Sequence, residues 1–198
     1  MKYNVLIVGV GGQGVLLASR VLGEAAMRAG HEVVMSEVHG MAQRGGSVSS
    51  VVRFGEGVMS PLIPLGGADV ILGFEPVESY RSLPFARAGA TIVTDTTPVP
   101  PSGVISGKET YPGIEELLGG MREAGLRVVG FEASAEAQKV GTRLAANSVL
   151  LGALCGSEAL PLESSEVRSI LLESVREKFR ELNGRAFDVG FVIARNGP

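Results

Sequence analysis

Residues 5–14 read Val5-Leu6-Ile7-Val8-Gly9-Val10-Gly11-Gly12-Gln13-Gly14, and Val15-Leu16-Leu17-Ala18-Ser19 follows without a break. The apolar run Val5–Val8 suits a central strand buried on both faces of a parallel sheet. Val15, Leu16, Ser19, Val21, Leu22, Ala25 and Ala26 recur at helical spacing, so a helix runs from Val15 to about Arg28. Gly30 closes it, because a left-handed cap position favours glycine. Between strand and helix, Gly9, Gly11 and Gly14 have the spacing of a phosphate-binding turn. Glycine permits the tight turn and removes side chains that would hold an anion away. The helix start adds unpaired N–H groups and a positive dipole end. The pattern specifies a geometry and leaves its use open: a dinucleotide, an anion or coenzyme phosphate on Gly11, Gly12, Gln13 and Gly14, or a purely structural turn.

Outward from this unit, a second strand at Glu32–Ser36 delivers the polar loop Glu37-Val38-His39-Gly40-Met41-Ala42-Gln43-Arg44-Gly45-Gly46-Ser47. Loops at the carboxyl ends of parallel strands are where α/β proteins place their sites. Glu37 stands near the position of the acid that binds ribose hydroxyls in nicotinamide enzymes. His39 could exchange a proton or donate a hydrogen bond, and Arg44 could clamp a carboxylate or phosphate. The bland alternative is that these groups satisfy the loop backbone or contact a partner protein.

The rest of the chain alternates strand-like and helix-like segments, which implies an α/β fold of three layers, Rossmann-like, around a mostly parallel sheet. Ser47–Phe54 reads as a strand, in a hairpin or at an edge, and Val58–Ile63 could return as a short strand. Asp69–Phe74, Thr91–Thr94 and Arg127–Phe131 are further strands. Pro76 opens a short helix to about Leu83, and Pro98–Gly107 is an irregular connection. Ile114–Ala124 and a long Ala135–Leu154 are helices, the latter containing Asn147, which either hydrogen-bonds locally or faces the cleft. In the tail, Ser164 or Ser165 can cap a helix whose stripe runs through Val167, Ile170, Leu171, Val175, Phe179 and Leu182, closed by Asn183-Gly184. A short helix at Ala186–Ala194 would end the chain. The organisation expected is one domain, 1–198, with an α/β core at 1–157 and a helical carboxyl-terminal extension at 158–198. The tail stripe must be buried on its own core or on a neighbour, so a homodimer of the isolated chain is one expectation.

Composition narrows the chemistry. Of 198 residues, 45% are hydrophobic, enough for a real core, and the formal charge of −3 provides no electrostatic footprint for nucleic acid. One cysteine, Cys155, cannot make an internal disulfide, a cysteine zinc site or an iron–sulfur cluster within the chain. No His, Cys or carboxylate spacing resembles a metal site, and no nucleophile with a paired base is evident, so no catalytic residue is assigned. No apolar run is long enough to span a membrane and no leader is recognisable, so the chain is expected in the cytoplasm.

The pairing of Gly9-Val10-Gly11-Gly12-Gln13-Gly14 with Ser36 to Ser47, above all Met41-Ala42-Gln43-Arg44-Gly45-Gly46-Ser47, resembles the gamma-type subunits of 2-oxoacid:ferredoxin oxidoreductases. It is most similar to the beta subunit of indolepyruvate:ferredoxin oxidoreductase, and the likeness extends to Ala146-Asn147-Ser148 and the added tail helices. The resemblance implies an accessory subunit for oxidative decarboxylation of a 2-oxo acid, with coenzyme A as co-substrate and ferredoxin as acceptor. It further implies that thiamine diphosphate and iron–sulfur clusters sit on a large catalytic partner, and that this chain binds neither and is inactive alone. Carried over to this sequence, the positions are Gly11, Gly12, Gln13 and Gly14 of the turn, and His39, Gln43, Arg44, Gly45, Gly46 and Ser47 of the loop. A free-standing NAD(P)-binding reductase, resting on the glycine spacing and Glu37, is the alternative.

Overall fold

The computed structural model of the chain describes residues 2–39 and 46–197, the His39 side chain excepted. The first strand, β1 (Lys2–Val10), passes through the glycine turn into α1 (Val15–Arg28), then β2 (Val33–His39) and β3 (Ser47–Gly55). Next come β4 (Ala68–Gly73), α2 (Pro76–Arg81), β5 (Ala86–Asp95), the single-turn α3 (Ser102–Ile105), α4 (Ile114–Glu123) and β6 (Arg127–Phe131). Four helices finish the chain: α5 (Ala133–Val140), α6 (Ala146–Gly156), α7 (Ser164–Ser174) and α8 (Arg180–Asn196).

The strands form one sheet in the order β2-β3-β1-β4-β5-β6. β1, β4, β5 and β6 are parallel, while β3 runs antiparallel to both of its neighbours. The antiparallel insertion follows from chain length. Only residues 40–46 join β2 to β3, and a parallel crossover needs about a dozen residues or more. Period-two alternation divides the core between the faces. Val5, Ile7, Val70, Leu72 and Val93 face α1 and the carboxyl-terminal helices. Leu6, Val8, Ile71 and Ile92 face α4, whose Leu117, Leu118 and Met121 cover them. The first helix ends as its sequence implies: Gly30 has φ 84°, and the His31 N–H donates to the Ala26 carbonyl in a Schellman closure.

Several expected elements are corrected. Residues 58–63 make no strand, because the Arg53 guanidinium takes the Ser60 and Leu62 carbonyls at 2.6 Å each, and Pro61 and Pro64 have no N–H to give. The long helix expected over Ala135–Leu154 is broken at Gly141, where φ is 150°; Thr142 then caps a 3₁₀ turn, its hydroxyl accepting the Leu144 N–H at 3.3 Å. The tail helix does not run to Asn183-Gly184. It stops at Ser174, with Glu163 rather than a serine at its N-cap position, and α8 begins at Arg180 and continues through Asn183, Gly184 and the expected Ala186–Ala194 segment.

α8 lies directly on α6. A Cβ on Gly152 would stand 1.9 Å from the Phe187 carbonyl oxygen, and one on Gly190 would stand 1.8 Å from that of Val149. The absence of side chains at these positions lets the two backbones touch. Val167, Ile170, Leu171, Ala186 and Phe187 thereby join the same core as β1 and α1.

Candidate functional site

The turn after β1 is held by contacts of its own residues. Gln13 folds its amide back so that Oε1 accepts the Val10 N–H at 2.8 Å while Nε2 donates to the Phe74 carbonyl at 2.8 Å. This staples the end of β1 to the end of β4 and gives each amide atom of Gln13 a partner within the fold. Gly14 occupies the N-cap of α1 with φ 90°, in the left-handed region that glycine alone enters without strain. It has a second reason to be glycine: a Cβ there would lie 2.5 Å from Asn147 Nδ2. Gly12, at φ 100°, has nothing within 4 Å of the place its Cβ would take. It therefore keeps the open approach that the motif implies, at the rim of a cavity shared with Val10, Gly11, Gly14, Val15, Leu16 and Val48.

Asn147 stands where α6 begins, 7% exposed. Its Oδ1 accepts the Ser148 N–H at 2.8 Å, and the Ser148 hydroxyl donates to Asn183 Oδ1 at 2.6 Å. Asn183 in turn donates to the Phe179 carbonyl at 2.8 Å. Asn147 therefore hydrogen-bonds locally through Oδ1 while its Nδ2 stands beside Gly14 of the turn, and Ser148 passes the polar chain into α8.

The loop meets the turn through backbone. The Gly11 N–H donates to the Gly46 carbonyl at 2.9 Å, and Val10 pairs with Ser47 across β1 and β3. Turn and loop therefore share the carboxyl end of β1. The Ser47 hydroxyl donates to Glu78 Oε2 at 2.6 Å, and Arg81 holds Oε1 of the same carboxylate at 2.8 Å. Gln43, Arg44 and Gly45, with Gly40, Met41 and Ala42, lie outside the described residues, as does the His39 side chain. Glu37 is exposed on the edge strand, paired with Ser50, which pairs in turn with Ile7. With strands spaced about 4.8 Å apart, it sits roughly 10 Å from β1. A ribose-binding acid works from the strand directly beside β1, so the inserted β3 removes the geometry on which the NAD(P) alternative rested.

Two buried carboxylates at this end of the sheet complete the surroundings. Glu75, 2% exposed, follows β4; its Oε2 accepts the Glu78 N–H at 2.9 Å and caps α2, and its Oε1 accepts the Val99 N–H and the Tyr111 hydroxyl. Asp95, at the end of β5, accepts the Thr97 N–H and the N–H and hydroxyl of Ser134, capping α5 from another element. Both acids are saturated by donors, which suits structural anchors rather than proton carriers. The Glu75-Pro76 dipeptide signals a capped helix start in the sequence. The recruitment of Tyr111 across 36 positions has no local signal.

Cys155 is 5% exposed, and burial pushes its thiol up to about 12. His31 packs against Phe54, with ring centroids 5.4 Å apart. Among the described residues no group of His, Cys, Asp or Glu could hold a metal ion, and no helix is long and apolar enough to cross a membrane.

Comparison with known proteins bears on this arrangement. The model of the pyruvate ferredoxin/flavodoxin oxidoreductase family matches residues 4–193. Indolepyruvate oxidoreductase subunit IorB of Thermococcus kodakarensis is 42% identical over 195 residues, covering 98% of this chain and 96% of the relative. The subunit of the same name from Methanothermobacter thermautotrophicus is 41% identical over 194 residues, covering 98% of each chain. Among solved structures, the gamma subunit of a keto/oxoacid ferredoxin oxidoreductase from Geobacter sulfurreducens superimposes with a TM-score of 0.70 at 26% identity, covering 98% of this chain and 99% of that one.

Proposed function

Since the chain belongs to the pyruvate ferredoxin/flavodoxin oxidoreductase family, we propose that it is the accessory, gamma-type subunit of an oxidoreductase that acts on indolepyruvate or a related aryl pyruvate. The observation that carries this reading is the junction of two motifs at one sheet end, tied by the hydrogen bond from Gly11 to Gly46. The wall thus formed carries no self-contained nucleophile, base or metal set among the described residues. It suits one side of a cleft whose reactive groups belong to another polypeptide.

The complex takes a 2-oxo acid and coenzyme A to an acyl-CoA and carbon dioxide while two ferredoxins are each reduced by one electron. Thiamine diphosphate and iron–sulfur clusters supply the carbanion and electron-transfer chemistry and belong to the large partner subunit. This chain does not fit a cluster: its single cysteine, Cys155, is sealed in the core. Its own contribution is shape. Gly12 leaves backbone open at the rim, the first turn of α1 presents N–H groups, and to His39, Gln43 and Arg44 we assign contacts with the partner or the coenzyme. Assembly takes place in the cytoplasm, where the ferredoxin acceptor is found.

Co-production with the large thiamine- and cluster-bearing subunit tests this. The two chains should elute together and reduce ferredoxin with indolepyruvate only when coenzyme A is present, and this chain alone should reduce none. Ferredoxin reduction by this chain without the partner would overturn the reading. Arg44→Ala in the assembled complex should lower turnover at least tenfold with assembly intact. Unchanged turnover would reduce the loop to a scaffold.

A further inference from the structure

The segment that crosses the carboxyl end of the sheet between β5 and α4 holds most of its hydrogen bonds within itself. Its middle is self-contained: the N–H groups of Lys108 and Glu109 both donate to the Gly103 carbonyl, the Ser106 hydroxyl does the same at 3.0 Å, and Pro101 starts the single turn of α3. Its side chains face two ways. Val99, Pro101, Val104, Glu109, Thr110 and Tyr111 line a cavity of about 310 Å3, whose opposite wall includes Val10, Ser47, Val77 and Arg81. Ile105 is left 77% exposed on the outside.

The attachment to the body is narrow. Among the described residues, the hydrogen bonds that leave residues 98–112 for the rest of the protein lie at its two ends: Val99 and Tyr111 both donate to Glu75 Oε1, and the Tyr111 hydroxyl also meets the Val77 backbone N–H at the start of α2. The other carboxylate oxygen, Oε2, stays on the N-cap of α2. One buried oxygen therefore joins the two ends of the segment to each other and to β4. We propose that residues 98–112 are a strap latched over the 310 Å3 cavity by Glu75 Oε1, and that releasing this latch opens the strap as a unit while the sheet and α2 stay in place. Self-contained loops of this kind move with few changes in their internal bonds, because their packing travels with them. The cavity is lined by Val10 and Ser47, so the open strap exposes a wall at the carboxyl end of β1, where the glycine turn begins. The proposal is independent of the substrate assigned above and is tested on this chain alone.

Two readouts on the full-length chain decide it. Tyr111→Phe removes one latch donor and leaves the ring and the α2 cap. Trypsin cleavage after Lys108 should then accelerate about ten- to hundredfold, the factor expected for losing one hydrogen bond to a charged acceptor. The thiol of a Val77→Cys variant, on the covered wall, should be alkylated faster by the same factor when Tyr111→Phe is added. The thermal midpoint should hold, and cleavage at Arg122 and Arg127 should not change. Glu75→Gln, read in the same two assays, serves if Tyr111→Phe fails to fold. Three outcomes overturn the proposal: unchanged cleavage after Lys108, faster cleavage with unchanged labelling at the Val77 position, or uniform acceleration at all sites, which would make Glu75 a fold anchor only.

Discussion

Gln13 shows how far a motif can mislead at the scale of one residue. In G-x-G-x-x-G spacing an intervening polar side chain invites a ligand, yet here both ends of the amide are used to join β1 to β4. Gln13→Ala would leave the Val10 N–H and the Phe74 carbonyl without partners. At about 1–3 kcal/mol for each unsatisfied buried group, the loss should be roughly 2–5 kcal/mol, read as a shift of the urea midpoint at constant slope. Gly14→Ala should cost at least about 1–2 kcal/mol, because an L-residue must adopt φ 90° and Asn147 must move as well. Cys155 gives a pH dependence of definite sign. Its thiol ionises near 9.0 when exposed and at about 12 in the fold, so the folded state holds the proton more tightly. Its contribution to stability is complete below pH 9 and is lost as pH rises from 9 towards 12. In native protein at pH 8 it should react with a disulfide reagent only at the rate of unfolding.

At the scale of elements, the strands of the parallel half were legible because buried runs of β-branched residues admit few alternatives; Arg127–Phe131 stands where expected. Ser47–Phe54 is a strand as expected, but neither at an edge nor in a hairpin with residues 58–63: it pairs on both sides, with β2 and β1. The breaks were not legible. Gly141 interrupts an Ala- and Leu-rich run that local propensity alone would carry through, and the Leu182 side chain packs 3.0 Å from its Cβ position. Asn183-Gly184 reads locally as a stop signal. It is helix interior here because Asn183 is needed by Ser148, and Gly184 makes room for Arg168, whose guanidinium holds Asp188 at 2.7 and 2.8 Å. The α6–α8 contact yields a sharp test. Gly190→Ala drives a methyl into the Val149 carbonyl, where backbone cannot yield as a side chain would. The cost should reach or exceed the upper end of the usual 1–3 kcal/mol for overpacking, seen as a lower thermal midpoint with early proteolysis in α8.

For the whole molecule, the tail stripe is covered by this chain's own core at Val167, Ile170 and Leu171, whereas Phe179 stays 44% exposed. The Phe179 end of the stripe is left for a partner to cover. The division into a core at 1–157 and an extension at 158–198 then becomes a question of autonomy, and we propose that the extension is an integral part of the fold. A chain ending at Ser157 would uncover Val149, Ala153 and Leu154 on α6, and it should show no cooperative unfolding transition. A soluble, cooperatively folded truncation would make the two parts separate units. What the sequence determined by itself was the α/β class, the strand–turn–helix unit and the conjunction of turn and loop, because each is written in neighbouring residues: apolar runs, glycine spacing and a polar loop of fixed length. What only the tertiary structure decided was which polar groups remain free for a ligand. Gln13, Glu75 and Asp95 each hold partners distant in the chain, and such pairings depend on distances in space that no local pattern records.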